Sequence, residues 1–111
     1  MCLIYRKEDS SMIIKLRKEM FGSLSDGTKK STSRLGKRNV NVGDDLIFEM
    51  TEDETVKYQT KVTNVILCKF KDLTEEEAKM EGYNSLADLK EALLEIYNPS
   101  ENDVFTLIHF A

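Results

Sequence analysis

The chain has 111 residues, a net charge of −4, 41% hydrophobic and 32% charged residues. That is the size of one ordinary domain, too hydrophobic for disorder and too small for two cores. One proline, five glycines and no apolar run near ~18 residues exclude linker-like, collagen-like and membrane-spanning readings. The early charges Arg6, Lys7, Glu8 and Asp9 leave no room for the apolar centre of a signal peptide, so a cytoplasmic location is expected.

Two cysteines, Cys2 and Cys68, and one histidine, His109, cannot form a four-ligand zinc site unless carboxylates join them. Neither a metal nor another cofactor is expected. His109 falls in the alternating run 104–110 and reads as a plain strand residue rather than as a catalytic base.

Charge is unevenly spread. Residues 15–38 hold eight basic side chains against Glu19 and Asp26, a surplus of six, while residues 39–111 hold six lysines against sixteen acids. A basic stretch of this kind suits either a solvated face or a site for a phosphate-bearing or nucleotide-like ligand.

In chain order, residues 1–11 lack periodicity and read as a flexible tail, leaving 12–111 as the domain. Residues 12–17 read as a first strand and 18–24 as a short helix with Met20, Phe21 and Leu24 on one face. Ser25-Asp26-Gly27 breaks that helix. Residues 30–34 are β-compatible but have almost nothing apolar to bury, as a strand facing a cleft would. Between turns at Gly36 and Gly43, residues 39–42 alternate. Residues 45–50 read as a strand, 51–55 as a charged hairpin tip and 56–68 as a long strand. The second face of that long strand turns apolar only late, which predicts a change of partner along its length.

Thr74 and Glu77 fit a capping box for a short helix ending near Gly82. Ser85 opens another, with Leu86, Leu89, Leu93 and Ile96 at helical spacing and Tyr97 alongside, closed by Asn98-Pro99. Residues 103–110 form a last strand. The order predicts an α+β fold, a small β-barrel of five or six strands with two or three flanking helices.

Residues 26–34 contain Gly27, Lys29, Thr32 and Arg34 in the pattern Gly-x-Lys-x-x-Thr-x-Arg. This resembles the ASCH domain, a small β-barrel related to the PUA fold. Four further segments, 42–48, 73–81, 85–97 and 104–110, are similar to the family's turn and strand, helical insertion, second helix and closing strand. Threonine at position 32 looks closer to the bacterial branch that removes the acetyl group from N4-acetylcytidine. That resemblance implies a catalytic set of Lys29, Thr32 and Glu81. Two positions depart from the branch: Lys30 stands where threonine is usual, and Gly82-Tyr83-Asn84 is one residue longer. Which of Lys29 and Lys30 faces the cleft is therefore open.

Amide hydrolysis needs a nucleophile, a base to activate it and a proton for the leaving amine. Thr32 supplies a hydroxyl, and Lys29 is a base once burial and cationic neighbours lower its pKa. On a strand Lys30 and Thr32 share a face, so Lys29 must precede the strand to reach Thr32. Arg34 shares the parity of Lys30 and Thr32, which makes Arg34 and Lys30 the expected substrate-binding residues. The bland alternatives are an edge-strand threonine and an exposed helix carboxylate. The expected function is an amidohydrolase acting on N4-acylated cytosine nucleosides; the alternative is a non-catalytic ASCH module binding RNA or a nucleotide. A nucleoside-like small molecule is the expected partner in the first case, with no membrane in either.

Overall fold

The computed structural model describes residues 11–111. The expected tail over 1–11 lies outside the described residues, apart from Ser11. That residue opens strand β1, Ser11–Leu16, one position earlier than the sequence suggests. Helix α1, Lys18–Ser25, follows, and Gly27 at φ +82° turns the chain beyond it. Strands β2 (Ser31–Leu35), β3 (Asp45–Met50) and β4 (Asp53–Lys69) come next. A 3-10 turn, Phe70–Asp72, leads to α2, Glu75–Met80, and α3, Leu86–Tyr97, before β5, Val104–Phe110, closes the chain. The architecture is α+β, with five strands and three α-helices among the described residues.

The strands form one open sheet in the order β1-β3-β4-β5-β2. β1 runs parallel to β3; the other neighbours are antiparallel. The long β4 changes partner as its pattern predicts. Asp45–Met50 of β3 pairs with its first half, and β5 with its second half from Val62 onward. A register shift between Val62 and Asn64 marks the changeover, and it swaps the faces of the strand. The alternate positions from Val56 to Cys68 therefore divide into two half-faces. The alternating residues 39–42 form a loop in which Val40 is buried.

β5 is buried on both sides and separates two cores. Ile108 and Phe110 face Ile14, Leu24, Leu46, Phe48 and Val62. Phe105 and Leu107 face Phe70, Leu73, Ala78, Leu89 and Leu93 beneath the helices. Ser85 caps α3 by accepting from the Asp88 N–H at 3.2 Å. The buried stripe of α3 runs through Leu89 and Leu93 to Tyr97, whose ring meets Phe105 edge-on at 5.7 Å. Ile96, expected in that stripe, is 62% exposed, because one residue is 100° around the helix from Tyr97.

Candidate active site

β2 is an edge strand, yet Ser31, Thr32 and Ser33 are all buried. The helix α2 accounts for two of them. Thr74 caps this helix, accepting from the Glu77 N–H at 3.2 Å. Only that half of the capping box forms. The Glu77 carboxylate turns inward, accepts from the Ser31 hydroxyl and meets His109 Nε2 at 2.9 Å. One helical turn on, the Glu81 carboxylate accepts from the Ser33 hydroxyl. Two strand residues rise about 6.7 Å and four helical residues about 6 Å, so Ser31/Ser33 and Glu77/Glu81 stay in register.

The end of α2 sets where Glu81 points. The Gly82 N–H donates to the Lys79 carbonyl at 3.0 Å and the Tyr83 N–H to the Ala78 carbonyl at 2.9 Å. This is the double bond of a Schellman turn, and Gly82 at φ +93° takes the left-handed position it requires. Glu81, just before it, is directed at the sheet and is 4% exposed.

Lys29 precedes β2 and is only 3% exposed. Its N–H donates to the Ser23 carbonyl at 2.9 Å, tying the loop to α1. Its ammonium donates to the main-chain carbonyl of Glu81 at 3.1 Å, not to the Thr32 hydroxyl. Burial lowers the Lys29 pKa to about 8, with nearby Arg34 adding to the drop and the Glu81 charge opposing it. Burial likewise raises Glu81 to about 7, against the pull of Lys29 and the Ser33 hydrogen bond. Both groups thus exchange protons near neutral pH.

Lys29, Thr32, Ser33, Arg34 and Glu81 line one cleft of about 750 Å³, with Tyr83 beside them. Burial also raises the Tyr83 pKa. Of the two lysines it is Lys29 that lines the cleft; Lys30 is exposed and does not. The expectation that Lys30 binds substrate therefore finds no support in the geometry. Pairing explains the division of β2. Ser31 and Ser33 pair with His109 and Leu107 and share their face toward α2, whereas Thr32 and Arg34 pair with Ile108 and Thr106 on the other. Ser33, Glu77 and His109 were not singled out as site residues by sequence. The signal was there in part: Glu77 and Glu81 lie four apart on one helix face.

The basic stretch does not form one patch. Lys15, Arg17, Lys29 and Arg34 line the cleft, but Lys15 is held by Glu49 and Glu54 at 2.9 Å each. Lys18, Lys30, Lys37 and Arg38 are exposed and do not line the cleft. Among the described residues no group of three His, Cys, Asp or Glu is placed to hold a metal, and no helix is long and apolar enough to cross a membrane.

No protein-family model matches the sequence, and no curated protein matches it. Solved structures do. An ASCH domain from Lactobacillus crispatus JV V101 superposes with a TM-score of 0.75 at 18% identity, over 88% of this chain and 77% of that one. The chain has the ASCH fold. A second ASCH structure, from Zymomonas mobilis, gives a TM-score of 0.72 at 10% identity, over 92% of this chain and 67% of that one. A third structure, described only as a hypothetical protein, gives 0.68 at 20% identity over 91% of this chain and 99% of that one. At these identities the likeness establishes the ASCH fold and leaves the chemistry of the cleft to be argued from its own residues.

Proposed function

We propose that this chain is an amidohydrolase that removes the acyl group from N4-acetylcytidine or related N4-acylated cytosine nucleosides. The observation that carries this reading is the buried Lys29–Glu81 couple, which lines the same cleft of nucleoside-compatible size as Thr32. Two ionisable groups this deeply buried are costly to keep, and pKa values displaced toward neutrality suit acid–base work.

In the proposed reaction neutral Lys29 takes the Thr32 hydroxyl proton, and Oγ1 attacks the acyl carbon. The tetrahedral intermediate collapses as the N4–C bond breaks, and the leaving N4 takes a proton from the Lys29–Glu81 couple. Cytidine leaves an acyl ester on Thr32. A water, deprotonated by the same couple, attacks that ester; the C–Oγ1 bond breaks, the couple returns the proton to Thr32 Oγ1, and the carboxylate is released. The Glu81 main-chain carbonyl orients the lysine, while Ser33 holds the Glu81 carboxyl.

The direct test is incubation with N4-acetylcytidine and detection of cytidine and acetate. Equal amounts of the two products are expected, with turnover little affected by salt. Absence of products, together with RNA affinity that falls steeply with salt, would favour the non-catalytic binding module instead.

A further inference from the structure

We infer that Glu77, held by His109, is a positioning residue for the reaction: it keeps the proton of the Lys29–Glu81 couple on Glu81, so that Glu81 is the acid and Lys29 the base before substrate arrives. The role rests on the proposed function and assigns the parts within it.

Glu77 does not line the cleft, yet it is buried, and its two oxygens have different partners. Oε2 accepts from the Ser31 hydroxyl, and Oε1 lies 2.9 Å from His109 Nε2. The Glu81 carboxyl accepts from Ser33, two residues along the same strand. The two carboxyls are also hydrogen-bonded to each other. Such a bond needs a proton on one of them, because two buried carboxylates in contact cannot both ionise.

The geometry puts that proton on Glu81. Glu77 has two donors, and one of them, His109, can bring a positive charge. The Glu81 carboxylate has the Ser33 hydroxyl, while the Lys29 ammonium donates to the Glu81 main-chain carbonyl at 3.1 Å. The short helix α2 acts in the same direction. Glu77 stands in its first turn and Glu81 at its C-cap, where free carbonyls oppose a negative charge. The raised Glu81 pKa agrees with this order. The other titratable groups facing the pair are Lys29 before β2, Cys68 on β4 and Tyr83 beyond α2. Of these only Lys29 carries positive charge, and it is the partner whose state the pair sets.

One proton shared by Lys29 and Glu81 has two arrangements of equal net charge: ammonium beside carboxylate, or amine beside carboxylic acid. Only the second has a base ready for the Thr32 hydroxyl and an acid ready for the leaving N4. An ionised Glu77 disfavours the first, because it touches the Glu81 carboxyl and reaches Lys29 only through space.

Carbon-13 NMR of the Glu77 and Glu81 carboxyls tests the role without requiring turnover. At about pH 6, below the Glu81 midpoint, the wild type should show Glu81 protonated and Glu77 ionised. Glu77→Gln should lower the Glu81 midpoint by about one pH unit or more. His109→Phe, which removes the donor, should move the proton toward Glu77 at that pH, and His109→Gln, which keeps an N–H there, should return it. A proton on Glu77 in the wild type, or an unmoved Glu81 midpoint in Glu77→Gln, overturns the inference. If Glu77→Gln does not fold, the wild type and the two His109 variants decide it. In turnover of N4-acetylcytidine at pH 7, Glu77→Gln should lose about tenfold or more in kcat, with KM within about twofold. An unchanged kcat overturns the role. Hydrolysis by a wild type whose proton sits on Glu77 would refute the role and keep the proposed function. A proton on Glu81 with no hydrolysis would refute the proposed function and leave the proton assignment standing.

Discussion

β3 and β2 are both short strands with buried side chains, but they bury opposite kinds of atom. β3 puts Leu46 and Phe48 fully inside, and the Phe48 ring meets Phe110 edge-on at 5.1 Å. β2 buries Ser31, Thr32 and Ser33 beside two carboxylates and an ammonium. The first region removes carbon from water and stabilises the fold. The second desolvates charge and costs stability, which a chain selected for stability alone would replace with carbon. The contrast separates the strand that holds the fold from the strand that lines the cleft.

The sharpest break of that contrast is Phe48→Ala, which should cost about 3–5 kcal/mol in denaturant unfolding. A loss below about 1 kcal/mol would mean that the β3 core does not carry the fold.

Glu81→Gln should act in the opposite direction. The folded Glu81 pKa is raised from 4.5 to about 7, so its stabilising contribution is complete below pH 4.5 and is lost as pH rises through 7. The isosteric amide should therefore stabilise the protein by up to about 3 kcal/mol near pH 8, and by nothing below pH 4.5. Lys29 has the mirror-image window: lowered from 10.5 to about 8, it costs stability below pH 8 and recovers it toward 10.5. Wild-type stability from this pair is thus lowest between pH 7 and 8. Urea unfolding of Glu81→Gln and of the wild type from pH 4.5 to pH 8 checks it, and a uniform loss would show an ordinary structural carboxylate.

A smaller effect sharpens the coupling between the two charges. Followed by NMR of its side-chain nitrogen, Lys29 should titrate near pH 8 and move lower in Glu81→Gln, because the carboxylate that raises it is gone. An unmoved midpoint would uncouple the pair. The smallest effect is Lys30→Ala, expected to change stability by less than about 0.5 kcal/mol and deacetylation by less than twofold, since Lys30 is exposed outside the cleft. A large loss of activity there would exchange the roles of the two lysines.

The sequence made the apolar half of the molecule legible because periodicity reports burial of carbon. β1, β3 and the Leu89–Leu93 stripe follow directly from it. It misjudged Ile96, where the buried stripe drifts to Tyr97. The polar seam was legible only as an oddity, a strand at 30–34 with nothing to bury. Its partners lie more than 40 residues away, so no local pattern pairs Ser31 with Glu77 or Ser33 with Glu81. Glu77 was read through its helix cap, a local role that competes with the tertiary one the carboxylate takes.

In the proposed reaction Thr32 is a nucleophile activated by Lys29. The most direct test of that role is mass spectrometry of the protein quenched in acid during reaction with N4-acetylcytidine. One acetyl group is expected on the peptide containing Thr32, labile to mild base, and none in Lys29→Ala. Turnover with no acetyl on Thr32, or a base-stable acetyl on Lys29 instead, would contradict it.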